Sequence, residues 1–128
     1  MKDHDMSKLA DKQRIIVADD EKVIADSLAM ILNRSGFEAR SVYSGQSAIE
    51  MAQTFSPDML ISDVIMGDID GIAAAIHIRG ICPGIKVLLF SGQAATVNLL
   101  ESARQGGHNF EILVKPVHPQ DLLDRLQS

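Results

Sequence analysis

The sequence has no tryptophan, one tyrosine and one cysteine. The lone Cys82 cannot close an internal disulfide, so the fold has to be held by a packed core rather than by cross-links. It lies in Gly80-Ile81-Cys82-Pro83-Gly84, a turn composition, and reads as a partly buried spectator thiol. Also missing is a basic surplus. The net charge of -5 argues against the cationic stripe that a nucleic acid needs, and the scarcity of aromatics argues against a base-stacking platform. No apolar run approaches the ~18 residues of a membrane span. Nor does an apolar stretch of signal-peptide type follow Met1-Lys2-Asp3-His4-Asp5. The expectation is a cytoplasmic protein with no direct nucleic-acid or membrane partner.

What is present is an ordinary globular composition, 46% hydrophobic and 23% charged over 128 residues, enough for one domain with one core. Residues 1–13 are polar and aperiodic and read as a flexible leader, with a short helix at Ser7 to Asp11; His4 there reads as a solvated side chain. Five strand–helix units follow over 14–127. The strands are Arg14 to Asp19, Phe37 to Tyr43, Asp58 to Ser62, Ile85 to Phe90 and Phe110 to Val114. The helices are Lys22 to Ser35, Ser47 to Phe55, Ile72 to Arg79, Ala94 to Arg104 and Pro119 to Leu126. Their inward faces are predicted at Val23, Ile24, Leu28, Ile31 and Leu32; Ala48, Ile49, Ala52 and Phe55; Ile72, Ala75 and Ile76; Val97, Leu100 and Ala103; Leu122, Leu123 and Leu126. Ser44-Gly45 reads as a turn, and Gly80, Pro83 and Gly84 as a break. His77 has no second ligand at helical spacing and reads as a surface residue. The alternation predicts a parallel sheet covered by helices on both faces.

The strand ends carry the chemistry. The first strand ends in Asp19-Asp20-Glu21, the third in Asp63, the fourth in Ser91 and the fifth in Lys115. In a doubly wound sheet the tips of strands one and three flank one crevice. Three carboxylates there repel one another unless a cation joins them. An oxygen-only set suits a hard divalent ion, Mg2+ or Mn2+, and no Cys or His pair is placed for zinc. Lys115 and Ser91 can meet phosphoryl oxygens, and a carboxylate such as Asp63 can accept a phosphoryl group. Each residue alone has a plainer use: Asp-Asp after a strand often only caps a helix. It is their order on four strands that points to phosphoryl chemistry.

With these residues in place, the chain resembles the response-regulator receiver domains of two-component signalling, of the chemotaxis-regulator type. The motifs are Ile15-Ile16-Val17-Ala18-Asp19-Asp20-Glu21, Ser62-Asp63-Val64-Ile65-Met66-Gly67-Asp68-Ile69-Asp70-Gly71, Phe90-Ser91-Gly92 and Val114-Lys115-Pro116. The resemblance implies a flavodoxin-like α/β fold, a doubly wound (βα)5 with a five-stranded parallel sheet in order 2-1-3-4-5. It implies that Asp63 is the phosphoacceptor of a histidine kinase or phosphotransfer protein. It further implies Mg2+ on Asp19, Asp20, Asp63 and the backbone carbonyl of Ile65, and Ser91 and Lys115 on the phosphoryl group. A cis Lys115–Pro116 bond, an unidentified downstream protein partner, a monomer or weak dimer, and no enzymatic activity beyond self-phosphorylation and self-dephosphorylation complete the expectation.

Three departures stand out. Gly67 occupies a position where the family usually holds proline. Ile112 stands at the switch position, three before the lysine, where an aromatic is usual; Phe110, two residues earlier, is a candidate substitute through a shifted register. The third is the Gly106-Gly107-His108-Asn109-Phe110-Glu111 stretch, longer than the family norm. Ile65 and Gln93 stand at the positions that tune phosphoryl lifetime in the family, and an apolar Ile65 predicts slow self-hydrolysis. The alternative reading is a pseudo-receiver, a phosphorylation-independent interaction module. A haloacid-dehalogenase-type phosphatase would need an Asp where Ile65 stands, and a flavodoxin would need a phosphate loop where Asp19-Asp20-Glu21 stands.

Overall fold

Neighbouring residues on a strand face opposite sides of the sheet, so a strand that is apolar throughout needs cover on both. The computed structural model describes residues 12–92 and 96–127 and provides that cover. The strands are β1 (Arg14–Ala18), β2 (Glu38–Val42), β3 (Met59–Asp63), β4 (Lys86–Ser91) and β5 (Glu111–Val114). They form one parallel sheet in the order β2-β1-β3-β4-β5, as expected. The helices are α1 (Lys22–Arg34), α2 (Gly45–Phe55), α3 (Gly71–Ile81), α4 (Thr96–Gln105) and α5 (Pro119–Gln127). The expected helix at Ser7 to Asp11, His4, Gln93 and the expected helix start at Ala94 lie outside the described residues.

The core has two halves. Ile16, Ala18, Leu60 and Leu89 pack under α2, α3 and α4 through Ala48, Ala52, Phe55, Ile72, Ala75, Ile78 and Ala103. Ile15, Val17, Ile61 and Phe90 pack under α1 and α5 through Ala25, Leu28, Ala29, Leu32 and Leu122. Each fully buried aliphatic side chain contributes about 2 kcal/mol.

Several local expectations change. Val23 and Val97 are exposed, at 78% and 67%, not inward. The buried stripe of α1 is Ala25, Leu28, Ala29 and Leu32, at the 3.6-residue period, and Val23 lies about 200° around the helix from Ala25. Val97 is similarly out of phase with the buried Ala103. Ile76 is only half-buried, and Ala74 and Ile78 carry more of the inner face of α3. Gly45 is helical rather than part of a turn, because Ser44 caps α2 by accepting from the Ser47 N–H at 3.0 Å. Gly80 lies inside α3, which runs to Ile81 before Pro83 stops it. Gly36, just past the end of α1, has φ of +100°, a left-handed backbone that glycine adopts without strain.

Candidate functional site

Asp63 is the last residue of β3, the central strand, and is buried. Its neighbours come from the adjoining strand tips. Asp19 follows β1 directly; its N–H extends the sheet ladder to the Val42 carbonyl at 3.1 Å, and the residue is fully buried. Ser91 ends β4, also buried. Lys115 follows β5, anchored by its N–H on the Ser91 carbonyl at 3.3 Å. Asp20 stands at the mouth, exposed. The Lys115–Pro116 bond is cis, as the resemblance implies.

Lys115 Nζ donates to Asp63 Oδ2 at 2.8 Å, and the Ile65 N–H donates to Asp63 Oδ1 at 3.3 Å. Asp19 Oδ1 accepts from the Glu21 N–H at 2.9 Å, while Asp19 Oδ2 is buried and has no hydrogen-bond partner among the described residues. One carboxylate oxygen from each of Asp19, Asp20 and Asp63 falls within 4.8 Å of the others. Burial, reinforced by the charges of Asp63 and Asp20, pushes the Asp19 carboxyl from its ordinary 3.8 up to about 6. Burial works against the Lys115 ammonium, but the hydrogen bond and charge of Asp63 outweigh it and raise its pKa. The arrangement is a buried carboxylate held by one cation, beside a buried carboxylate oxygen that a hard divalent ion would satisfy.

The loop after β3 is built around this carboxylate. Val64 and Met66 are buried and Ile65 is 42% exposed, so the apolar trio alternates in, out, in. At the far end of the loop, Gly71 donates its N–H to the Val64 carbonyl at 2.7 Å, and a Cβ there would sit 2.1 Å from the Asp63 carbonyl oxygen. Only glycine permits that approach. Two acids went unassigned in the sequence reading. Asp70 caps α3, its Oδ1 accepting from the Ala73 N–H at 2.8 Å; its place before a helical run is a cap signal that could have been read. Asp68 reaches the start of α2, and nothing local announces that.

The switch region is also resolved. In β5, Ile112 pairs with Leu89 and Val114 with Ser91, and Phe110 lies before the strand begins. Ile112 packs on the α2–α4 side of the core. Phe110 precedes β5, at the opposite end of the strand from Lys115. There the Arg79 guanidinium lies 4.5 Å over its ring and His108 stacks beside it at 6.1 Å. Phe110 therefore does not replace the missing aromatic next to Ser91.

The model of the response regulator receiver domain matches residues 15–127. PdtaR of Mycobacterium tuberculosis, a transcriptional regulatory protein, is 36% identical over 118 residues, covering 90% of this chain and 55% of PdtaR. TcrX of the same species is 29% identical over 114 residues, covering 89% of this chain and 48% of TcrX. The chain thus spans about half the length of these relatives. Among solved structures, a CheY-like receiver domain protein from Methanospirillum hungatei JF-1 superposes with a TM-score of 0.80 at 25% identity, covering 91% of each chain. Chemotaxis protein CheY4 of Vibrio cholerae shares the fold with a TM-score of 0.79 at 24% identity, covering 91% of this chain and 97% of CheY4.

Proposed function

Because the chain belongs to the response regulator receiver family, matched over residues 15–127, we propose that Asp63 accepts a phosphoryl group from the phosphohistidine of a histidine kinase or phosphotransfer protein. Receiver domains are signalling modules rather than conventional enzymes, and they meet kinases on one side and effectors on the other. The observation that carries the reading is the placement of Asp63. It is buried, ion-paired to Lys115 at 2.8 Å and beside the partnerless Asp19 Oδ2.

In the transfer, a carboxylate oxygen of Asp63 forms the new O–P bond while the P–N bond to the donor imidazole breaks, its electron pair returning to the ring nitrogen. Lys115 steadies the developing charge on the equatorial oxygens, and Ser91 donates a hydrogen bond to one of them. Asp19, Asp20, Asp63 and the Ile65 carbonyl would hold Mg2+, with Mn2+ a possible substitute. The bound ion supplies charge neutralisation for phosphoryl oxygens meeting three carboxylates. The acyl phosphate then changes the charge that Lys115 faces, and an unidentified protein partner reads the result, with this chain as monomer or weak dimer. We place this exchange in the cytoplasm, where the Cys82 thiol stays reduced.

The second reading, a module that no longer takes phosphate, draws on Gly67 and Ile112. The complete acid cluster and Lys115 weigh against it. Incubation with acetyl phosphate and Mg2+, followed by intact mass measurement, tests the choice. The expected result is one phosphoryl group on wild type and none on Asp63→Asn. Equal labelling of both would refute the site. Beryllofluoride that leaves the amide NMR spectrum unchanged would favour the second reading.

A further inference from the structure

The loop that carries Ile65 has an open joint. Gly67 is exposed, and a Cβ there would meet nothing within 4 Å. Glycine with free space around it does not stiffen a loop by itself. A different contact supplies the restraint. Asp68 Oδ1 accepts from the Gly45 N–H at 3.1 Å and Asp68 Oδ2 accepts from the Gln46 N–H at 3.0 Å. These are the first two N–H groups of α2, which have no partner inside the helix. Ser44 already caps that helix through the Ser47 N–H. The backbone follows the side chain. A Cβ on Gly45 would lie 2.6 Å from the Ile69 carbonyl oxygen, so the loop rests directly on the start of α2. The hydrogen bond from Gln46, aided by that from Gly45, also holds the Asp68 carboxyl below the usual carboxylate range.

We propose that Asp68 is a positioning residue for the Asp63 site. Its carboxylate ties the 64–70 loop to the N-terminus of α2 and so fixes the Ile65 N–H and carbonyl around Asp63, a restraint that glycine at 67 does not supply. The inference rests on the reading of Asp63 as phosphoacceptor. Asp68 does not touch the reacting atoms; it acts through Ile65. A second consequence is that α2 is mechanically part of the site, through Gly45 and Gln46, although none of its side chains reaches Asp63.

The test compares wild type, Asp68→Ala, Ser44→Ala and the double variant Gly67→Pro/Asp68→Ala, each as the full chain. The readouts are the rate of phosphorylation by acetyl phosphate with Mg2+, and amide hydrogen exchange over 64–71 measured without metal or donor. Asp68→Ala is expected to slow phosphorylation about tenfold and to speed exchange at Ile65. Ser44→Ala, which removes the helix's own cap, is expected to keep the wild-type rate. Proline at 67 is expected to restore most of the loss, since it stiffens the same loop by another means. An Asp68→Ala chain that is labelled at the wild-type rate, or one whose loss Ser44→Ala matches, overturns the proposal alone. A wild type that takes no label overturns the phosphoacceptor reading and this one with it.

Discussion

The centre and the edge of the sheet are built differently. In β3 every residue is buried; in β5 the outer two are exposed and the inner two only half-buried. β3 is paired on both sides, β5 on one. Asp63, the proposed acceptor, therefore stands on the fully buried strand, while the edge that faces α4 and α5 has less apolar burial to hold it in one arrangement. Among the described residues, the side-chain hydrogen bond from the β5 side to Asp63 comes from Lys115 Nζ. Under the proposed function, the chemistry would sit on the packed centre and the readout on the looser edge, joined through the Lys115 ammonium.

The sharpest test of how constrained the centre is sets a methyl group beside β3 against one on the outer surface of α3. Gly71→Ala places a Cβ 2.1 Å from the Asp63 carbonyl oxygen and 2.9 Å from Ser62 Oγ. Backbone has to move, so a loss of about 3 kcal/mol is expected. Gly80→Ala, inside α3 with nothing within 4 Å, should instead gain about 0.5–1 kcal/mol. Urea unfolding of both variants decides the matter; equal effects would mean that the centre is no more constrained than the surface.

Asp19 gives the next largest effect. Its folded pKa of about 6 lies above its ordinary 3.8. Between those values the folded chain binds more protons than the unfolded one, so stability falls as pH rises from about 4 to about 6 and stays reduced above that. The full penalty is about 3 kcal/mol. Asp19→Asn is therefore expected to be more stable than wild type at pH 7 without divalent ions, and to lack the fall. Mg2+ should stabilise wild type more at pH 7 than at pH 5, and the variant little at either. Denaturation at the two pH values, with and without Mg2+, checks this; a wild type that gains stability toward pH 7 would contradict it.

At the edge, Phe110→Ala removes the ring that the Arg79 guanidinium covers and beside which His108 stacks. A loss of about 1–2 kcal/mol is expected, with the phosphorylation rate unchanged. A slowed rate would show that the edge reaches into the chemistry after all. The smallest effect is on lifetime. Ile65, 42% exposed beside Asp63, offers no hydrogen bond to orient an attacking water. Ile65→Asn should shorten the phosphorylated half-life by about two- to fivefold, or up to 1 kcal/mol of barrier, in a mass-based decay assay. A longer half-life in the variant would count against this account of Ile65.

These residues also show what could be read in advance. Strand tips bearing Asp19, Asp63, Ser91 and Lys115 were legible because apolar runs ending in a polar residue mark a buried strand and its exit. The sheet order followed from the resemblance those tips carry. Val23 and Val97 misled because large side chains draw attention, while the actual stripes run through Ala25, Ala29 and Ala103, whose small size hides them. Asp68 was illegible for a deeper reason. Its partners, Gly45 and Gln46, are more than 20 residues away, and the contact exists only once the loop and α2 have packed. The position of Phe110 likewise depends on the pairing of β5 with β4, which no local pattern announces.

The central claim is that Asp63 itself carries the phosphoryl group. Borohydride reduces an acyl phosphate on aspartate to homoserine, which marks the residue in a peptide map. After incubation with acetyl phosphate and Mg2+, then borohydride, the peptide containing Ser62-Asp63-Val64 should carry homoserine at position 63, and Asp19 and Asp20 should be unchanged. Homoserine at Asp19 or Asp20, or none anywhere in a chain that has taken up phosphate, would contradict the assignment.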